Sequence, residues 1–510
     1  MPLSDLGDVE ALLRRFKKAS EYRELARSLH QDAYDFAAPQ RETFRFHSPG
    51  QEKNNHVYDS TAIRALEQFA SRIKGSTLPS WKHWMTLTSG TVVPEGEKAT
   101  IDKQLEKIGE VFFNELNHSN FDTEVNSSLV DLGIGTGAVI IDENPDLIGD
   151  AFKFTSVPMS ELYPEKPAEG RIRSVWRKQK LQVGAIEQVW PGAKLPQKLK
   201  EKAEKDPFVE DDFLNGQLYN TKDKKYYQVV IYEPSKDIIF DQSFDSQRFI
   251  VFRWHVVAGE VFGRGPAIQS LPDIRTLNKV VQFDLEAAAL SIGGVYTGIN
   301  DGIFNPNTVR IAPKTIIPVG SNNNQNPTLR ALERAGDPTV AQIQMERLQD
   351  AINKSFFANP LGDISDPVRS ATENMIRQQE MLKQAGASFG RIRSELVEPL
   401  VEAGLDILMS RGQIERFRVD GEQATIRHTS PLAKSEDLED FQNAQIWLQF
   451  NQAVLGEGMA GSIKVEELPK FSQEKLGIPA NLVRDESERQ AFGEQALAAA
   501  QQMGVEPGVA

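Results

Sequence analysis

What most limits the folds open to this chain is the order of parts between Phe262 and Leu408. A glycine-rich string, Gly263-Arg264-Gly265-Pro266, opens a stretch in which Ile268, Leu271, Ile274, Leu277, Val281, Leu285, Ala288 and Ile292 recur at intervals of three and four. That spacing predicts an amphipathic helix of about seven turns. Pro266 suits its first turn, Pro272 predicts a kink or a restart at Asp273, and Gly293-Gly294 stops it. Turn-rich residues 294–332 follow, with short strands expected at 295–299, 308–311 and 315–319. A piece this small is expected to bury its surface against a neighbour, here another subunit. A second helix begins at Asp337-Pro338, with Val340, Ile343, Leu348, Ile352 and Phe356 as its stripe. A Gly/Pro/Asp loop, 359–369, then interrupts the pattern. A long helix starts at Ser370-Ala371-Thr372-Glu373, a capping-box match, and carries Leu382, Phe389, Ile392, Leu396 and Leu400 toward Met409. Pro399 predicts a kink in it, and Gly386 and Gly390 either weaken it or permit close packing.

Upstream, residues 1–45 read as helix ending near Pro39, with Leu12, Leu13 and Phe16 on one side. Ile63, Leu66, Phe69, Ala70 and Ile73 predict a helix over 59–80, with Asp59 or Ser60 as N-cap and Gly75 and Pro79 at its end. Residues 81–88 alternate like a strand, and Trp81, Trp84 and Met85 read as core beneath a helix rather than as a ligand platform. Leu105, Ile108, Phe112 and Leu116 mark a helix over 97–118, and another runs from Asp122 to about residue 132. Strands are expected at 138–141, 152–157, 172–180, 226–232 and 249–254, with a Lys/Glu-rich helical insert at 183–206. After a strand at 425–428, residues 435–510 read as helical, with Ile446, Trp447, Phe450 and Val454, and fray at the end. The fold class is therefore α+β, mainly helical: helices first, then a strand meander.

Composition excludes several functions. The 510 residues suffice for two to four domains. With no cysteine there is no disulfide, thiolate metal site, iron–sulfur cluster or cysteine nucleophile. That fits a cytosolic life or a particle assembled in a cytosol. No two of the seven histidines have metal-site spacing. No metal or cofactor is expected. The chain has no apolar run of eighteen residues and no apolar leader, so neither a membrane helix nor a signal peptide is expected. A net charge of −14 argues against a sequence-specific DNA binder. It is compatible with a surface past which DNA slides, and equally with an ordinary solvated surface.

The most enzyme-like string is Asp131-Leu132-Gly133-Ile134-Gly135-Thr136-Gly137. It resembles the nucleotide loop of class I methyltransferases, which needs a strand before it and a helix after it. Here a helix precedes and Ala138-Val139-Ile140-Ile141 follows as a strand, so a helix-to-strand glycine turn explains it better. No P-loop, G-x-S-x-G elbow or H-E-x-x-H occurs. The paired acids Asp211-Asp212 and Glu466-Glu467 read as solvated surface, and no catalytic residue is assigned. Basic residues that could face nucleic acid are Arg310 and Lys314 in the turn-rich segment, with Lys279, Arg347, Lys354 and Arg369 nearby. Each alone is more commonly an ordinary surface or inter-subunit charge.

Several segments resemble the head-to-tail connector (portal) family of short-tailed phages. They are Ala62-Ile63-Arg64-Ala65-Leu66-Glu67-Gln68-Phe69-Ala70-Ser71-Arg72-Ile73 with Leu78-Pro79 and Trp84-Met85-Thr86-Leu87; Phe262-Gly263-Arg264-Gly265-Pro266 through Leu271-Pro272-Asp273-Ile274-Arg275-Thr276-Leu277-Asn278; and Ser370-Ala371-Thr372-Glu373 with Glu395-Leu396-Val397-Glu398-Pro399-Leu400. The resemblance runs in order over about residues 5 to 500 and rests on the sequence of modules. It implies a wedge with a wing (1–264), a first stem helix (265–291), a clip (292–336), a second stem helix (337–357), a tunnel loop (358–369), a long wing helix with a return strand (370–430) and a helical crown (431–510). It implies a dodecameric ring at one capsid vertex of the virion, assembled in the host cytoplasm, with double-stranded DNA passing through its channel. The implied partners are the terminase large subunit, tail adaptor and nozzle proteins, and scaffold, major capsid and internal core proteins. In the tunnel loop, Leu361, Asp363 and Asp366, flanked by Asn359 and Arg369, would line the channel. The alternatives are an adaptor or scaffold ring without DNA passage and, less favoured, the methyltransferase.

Overall fold

The computed structural model describes residues 7–41, 44, 51–53, 55–90, 92–144, 151–168, 170–293, 296–298, 329–331, 338–358, 386, 388–415, 417, 424–429, 444–451, 468 and 471–472. They form a mixed helix-and-sheet protein of two compact units. One unit comprises Met1–His30, Glu67–Gly265 and Pro360–Ala510; the other comprises Gln31–Leu66 and Pro266–Asn359. Helices α1 (Val9–Ala37) and α2 (Thr61–Thr77) contribute residues to both.

In the first unit, α3 (Glu95–His118) precedes α4 (Phe121–Ile134), and the chain turns at Gly135 into β2 (Thr136–Glu143). Strand β2 lies between β3 (Phe152–Ser156) and β9 (Phe249–Arg253), antiparallel to both. Its residues from Thr136 to Ile141 are all buried, as a central strand covered on both faces requires. A second sheet is an antiparallel meander of β4 (Leu162–Pro164), β5 (Val175–Gln182), β6 (Glu210–Asn220), β7 (Lys225–Tyr232) and β8 (Asp237–Phe244). Side chains alternate across its strands. Leu214, Val229 and Ile231 meet Leu12, Leu13, Phe16 and Ala19 of α1. Their sequence neighbours Phe213, Val230 and Tyr232 face the other way and pack with Ile186, Trp190 and Leu199. Those three belong to the Lys/Glu-rich insert, which folds as α5 (Ile186–Val189) and α6 (Gln197–Lys205) and covers the second face of the sheet.

Some expectations need correction. Strands β4, β6 and β8 were not foreseen. β1 is shorter than the 81–88 alternation suggested: it runs Met85–Ser89 and pairs with β12 (Ala424–His428), while Trp81 is 76 % exposed. Trp84 and Met85 are core, and Trp81 is not. Of the two alternatives for Gly386 and Gly390, close packing finds no support among the described residues, since a Cβ at either would have no heavy atom within 4 Å.

The long helix ends as α10 (Glu398–Ser410), preceded by a π turn at Arg393–Val397. Pro399 has no N–H to give the carbonyl four residues back. The ladder widens there, and the Glu398 N–H bonds the Arg393 carbonyl.

In the second unit, α7 (Pro266–Gln269) and α8 (Leu271–Gly293) are separated at Ser270, so the restart foreseen at Asp273 falls two residues earlier and puts Pro272 in a first turn. Helix α9 (Pro338–Ser355) packs on α8. Short strands β10 (Tyr296–Gly298) and β11 (Leu329–Ala331) pair antiparallel. The strands expected at 308–311 and 315–319, the loop 359–369 and most of 431–510 lie outside the described residues.

Candidate functional site: a glycine joint and a helix pair

In the first unit, the two glycine-rich strings of the sequence meet each other. The Gly263 N–H donates to Thr136 Oγ1 at 2.9 Å, the Gly265 N–H to the Ile134 carbonyl at 2.8 Å and the Trp254 N–H to the Gly135 carbonyl at 3.1 Å. The backbones touch without side chains between them. A Cβ on Gly135 would lie 2.1 Å from the Gly263 carbonyl oxygen, and one on Gly265 would lie 2.2 Å from that of Gly133. Gly137 is closed off by the Phe252 ring, 2.6 Å from its would-be Cβ. The string at 131–137 is therefore a packing joint, with its glycines consumed by protein contacts and none presented to a ligand.

Arg253, at the end of β9, locks this joint from below. Its Nε donates to Glu395 Oε2 at 3.2 Å and its Nη2 to Oε1 at 2.5 Å, while its backbone N–H bonds Oε2 at 2.9 Å. Nη1 donates to the Val261 carbonyl, and Nη2 also to that of Gly170. Arg253 is 1 % and Glu395 4 % exposed. Glu395 sits on the π turn, so the widened ladder and the buried ion pair are one feature. Above, Arg264 forms a fork-to-fork pair with Glu260 at 2.9 and 2.5 Å. That pair raises the guanidinium's already high proton affinity.

In the second unit, α8 and α9 are antiparallel. Ser270 and Ser355 hydroxyls meet at 2.6 Å at the base. Ile274 and Leu277 on α8 and Ile352 and Phe356 at the end of α9 are buried. Each such side chain contributes about 1.5–3 kcal/mol. Asn278, a buried polar residue in mid-helix, accepts from the Tyr58 N–H at 2.6 Å and donates to the His56 carbonyl at 2.9 Å. Gln349 of α9 reaches Asp59 at 3.1 Å, and Asp59 also accepts the Thr61 N–H at 2.8 Å. Segment 56–61 thus straps both helices. Sequence reading did not assign Asn278 a role; a lone Asn on an apolar face was the available signal.

Further along the pair the apolar stripe comes to the surface: Phe283 is 56 %, Leu285 53 % and Ile343 44 % exposed. Of the basic candidates, Lys279, Arg347 and Lys354 are described. Lys279 bonds Gln282 at 3.0 Å and lies 4.7 Å from the Phe283 ring centroid. Lys354 pairs with Asp350 one turn back at 2.5 Å, and Arg347 is exposed. Counting back from the Ser270–Ser355 contact, Lys279 and Arg347 stand roughly 12–14 Å up the hairpin, at similar heights. Lys354 stands at its base, apart from them. Acidic Asp273, Asp284, Glu286, Glu346 and Asp350 alternate with these bases, so the described helices carry no basic stripe. Arg310, Lys314, Asn359, Leu361, Asp363, Asp366 and Arg369 lie outside the described residues. Among the described residues no group of three His, Asp or Glu could hold a metal, and no helix is long and apolar enough to cross a membrane.

Comparison with known proteins bears on the whole chain. The family model described as bacteriophage head to tail connecting protein matches residues 9–483. The chain is also similar to a protein of Bordetella phage BPP-1 described as a probable portal protein, at 22 % identity over 94 % of this chain and 90 % of that one.

Proposed function

The chain belongs to the bacteriophage head-to-tail connecting protein family, and from that premise we propose that it is a portal subunit, twelve copies of which ring one capsid vertex around a channel for double-stranded DNA. The observation that carries this reading is the family match itself, which spans residues 9–483. The protein acts by shape and charge, without catalysis.

In this reading α8 and α9 are the stem helices, 292–336 the clip, 358–369 the tunnel loop, 1–264 with the long helix the wing, and 431–510 the crown. The exposed Phe283, Leu285 and Ile343 support it, because a helix pair covered by neighbouring copies carries apolar residues outward. The mixed charge of the helices supports sliding rather than gripping, since phosphates are held in proportion to the cations that meet them. Among the basic candidates, Arg347 and Lys279, which bonds Gln282, are assigned to face DNA or a neighbour; Lys354 pairs with Asp350. Arg310 and Lys314 fall in the clip, where the terminase large subunit docks and tail adaptor and nozzle proteins later replace it. Scaffold, major capsid and internal core proteins meet the wing and crown. Assembly takes place in the host cytoplasm.

The loop is the part that meets DNA most closely. Leu361, Asp363 and Asp366, between Asn359 and Arg369, line the narrowest point, where acids repel phosphate and loop movement resists backflow. Deleting 361–366 is expected to leave ring assembly intact while packaging or DNA retention in assembled heads falls severalfold. Packaging and retention equal to those of the unaltered chain would overturn this assignment.

A further inference from the structure

The joint at 262–265 leads directly into α7, and one histidine closes it. His30, on α1, is 2 % exposed. Its ring stands edge-on to Phe262, centroids 5.2 Å apart at 68°, and it hydrogen-bonds the Gly263 backbone. The same short segment is held from its other side by Thr136, Ile134 and His255 through the Gly263, Gly265 and Arg264 amides. His30 therefore covers a peptide that has no side chain of its own to anchor it.

We propose that His30 is a proton-sensitive latch on the 262–265 joint: neutral, it holds the joint against α1; protonated, it releases it. Burial sets the direction, and the groups facing the ring modify it. Glu260 would welcome a proton, but its two carboxylate oxygens are already engaged by Arg264. Arg264 from the loop and Arg23 from its own helix both repel an imidazolium, and the Phe262 ring offers no hydrogen bond to replace lost water. Burial first, with Arg264 and Arg23 adding to it, outweighs Glu260 and the Gly263 backbone bond, which favour the proton, and holds the His30 pKa down at about 4 against an ordinary 6.5. An open joint would expose His30 to water and restore the ordinary value. The closed form is thus favoured in full above pH 6.5 and progressively less as pH falls toward 4. At pH 5 the open-to-closed ratio rises about 20-fold over its value at pH 7.

Two measurements on the full chain test this. Backbone hydrogen exchange followed by mass spectrometry, at pH 7 and pH 5, compares the wild type with His30→Gln, which keeps an N–H donor and cannot titrate. Peptides covering 255–265 are expected to exchange roughly tens of times faster in the wild type relative to the variant at pH 5 than at pH 7. A wild-type-to-variant ratio equal at both pH values would overturn the latch. Exchange of the His30 ring C2–H in the wild type needs no variant to fold. A midpoint near 4 supports the latch, and a midpoint near 6.5 refutes it.

Discussion

Gly135→Ala or Gly263→Ala is expected to leave little soluble, folded protein. The clash in each is with backbone: the new Cβ of Gly135 would fall 2.1 Å from the Gly263 carbonyl oxygen, and that of Gly263 would fall 2.3 Å from the Gly135 oxygen. A flexible side chain could swing away; these carbonyls cannot, because the Gly135 oxygen accepts the Trp254 N–H and neighbouring amides hold the segment on both sides. Overpacking typically costs about 1–3 kcal/mol and occasionally more, and a clash with fixed backbone falls at the upper end of that range, against a total stability of about 5–15 kcal/mol for a typical domain. Gly390→Ala is the control. Its Cβ would meet no described atom, and the helix gains up to about 1 kcal/mol. Soluble yield and thermal unfolding check both, and a Gly135→Ala chain as soluble and stable as Gly390→Ala would refute the joint.

The second large effect is at the buried ion pair. Glu395→Gln leaves the Arg253 guanidinium desolvated with no counter-charge. Breaking a buried pair on one side costs about 3–5 kcal/mol. The double variant Arg253→Met with Glu395→Leu removes both charges, and such replacements are often neutral or stabilising. Denaturant unfolding should therefore show the single change to be the worse of the two. Equal losses would mean that packing around the π turn matters and that charge pairing there does not.

The ranking of these two sites shows how far the sequence could be read. The long helices announce themselves: the three-and-four spacing of Leu271, Ile274 and Leu277 on α8 and of Ile352 on α9 with Phe356 just past its end is the buried seam. Strands β6 and β8 do not. β6 carries Asn215, Gly216 and Gln217 inside the sheet, polar residues satisfied by cross-strand and loop partners such as Gln228 and the Arg248 and Phe249 amides. Its Gly216 is needed because a Cβ would strike the Trp176 ring at 2.4 Å. β8 pairs on one side only and leaves Asp241, Gln242 and Ser243 exposed in a row, which hides its periodicity. For the candidate site, the helix-to-strand turn at 131–137 was legible from element order. That its glycines meet the 263–265 string was not, because the contact joins residues about 130 apart. The same holds for Glu395 and Arg253, separated by 142 positions. The basic candidates were legible only as charges; that Lys354 is engaged by Asp350 follows from side-chain geometry.

The most direct test of the portal reading is electron microscopy, without imposed symmetry, of assembled particles containing the full chain. The expected result is a single ring of twelve copies at one vertex, with a central hole wide enough to pass duplex DNA. Copies spread evenly through the shell, or a ring with no open axis, would contradict it.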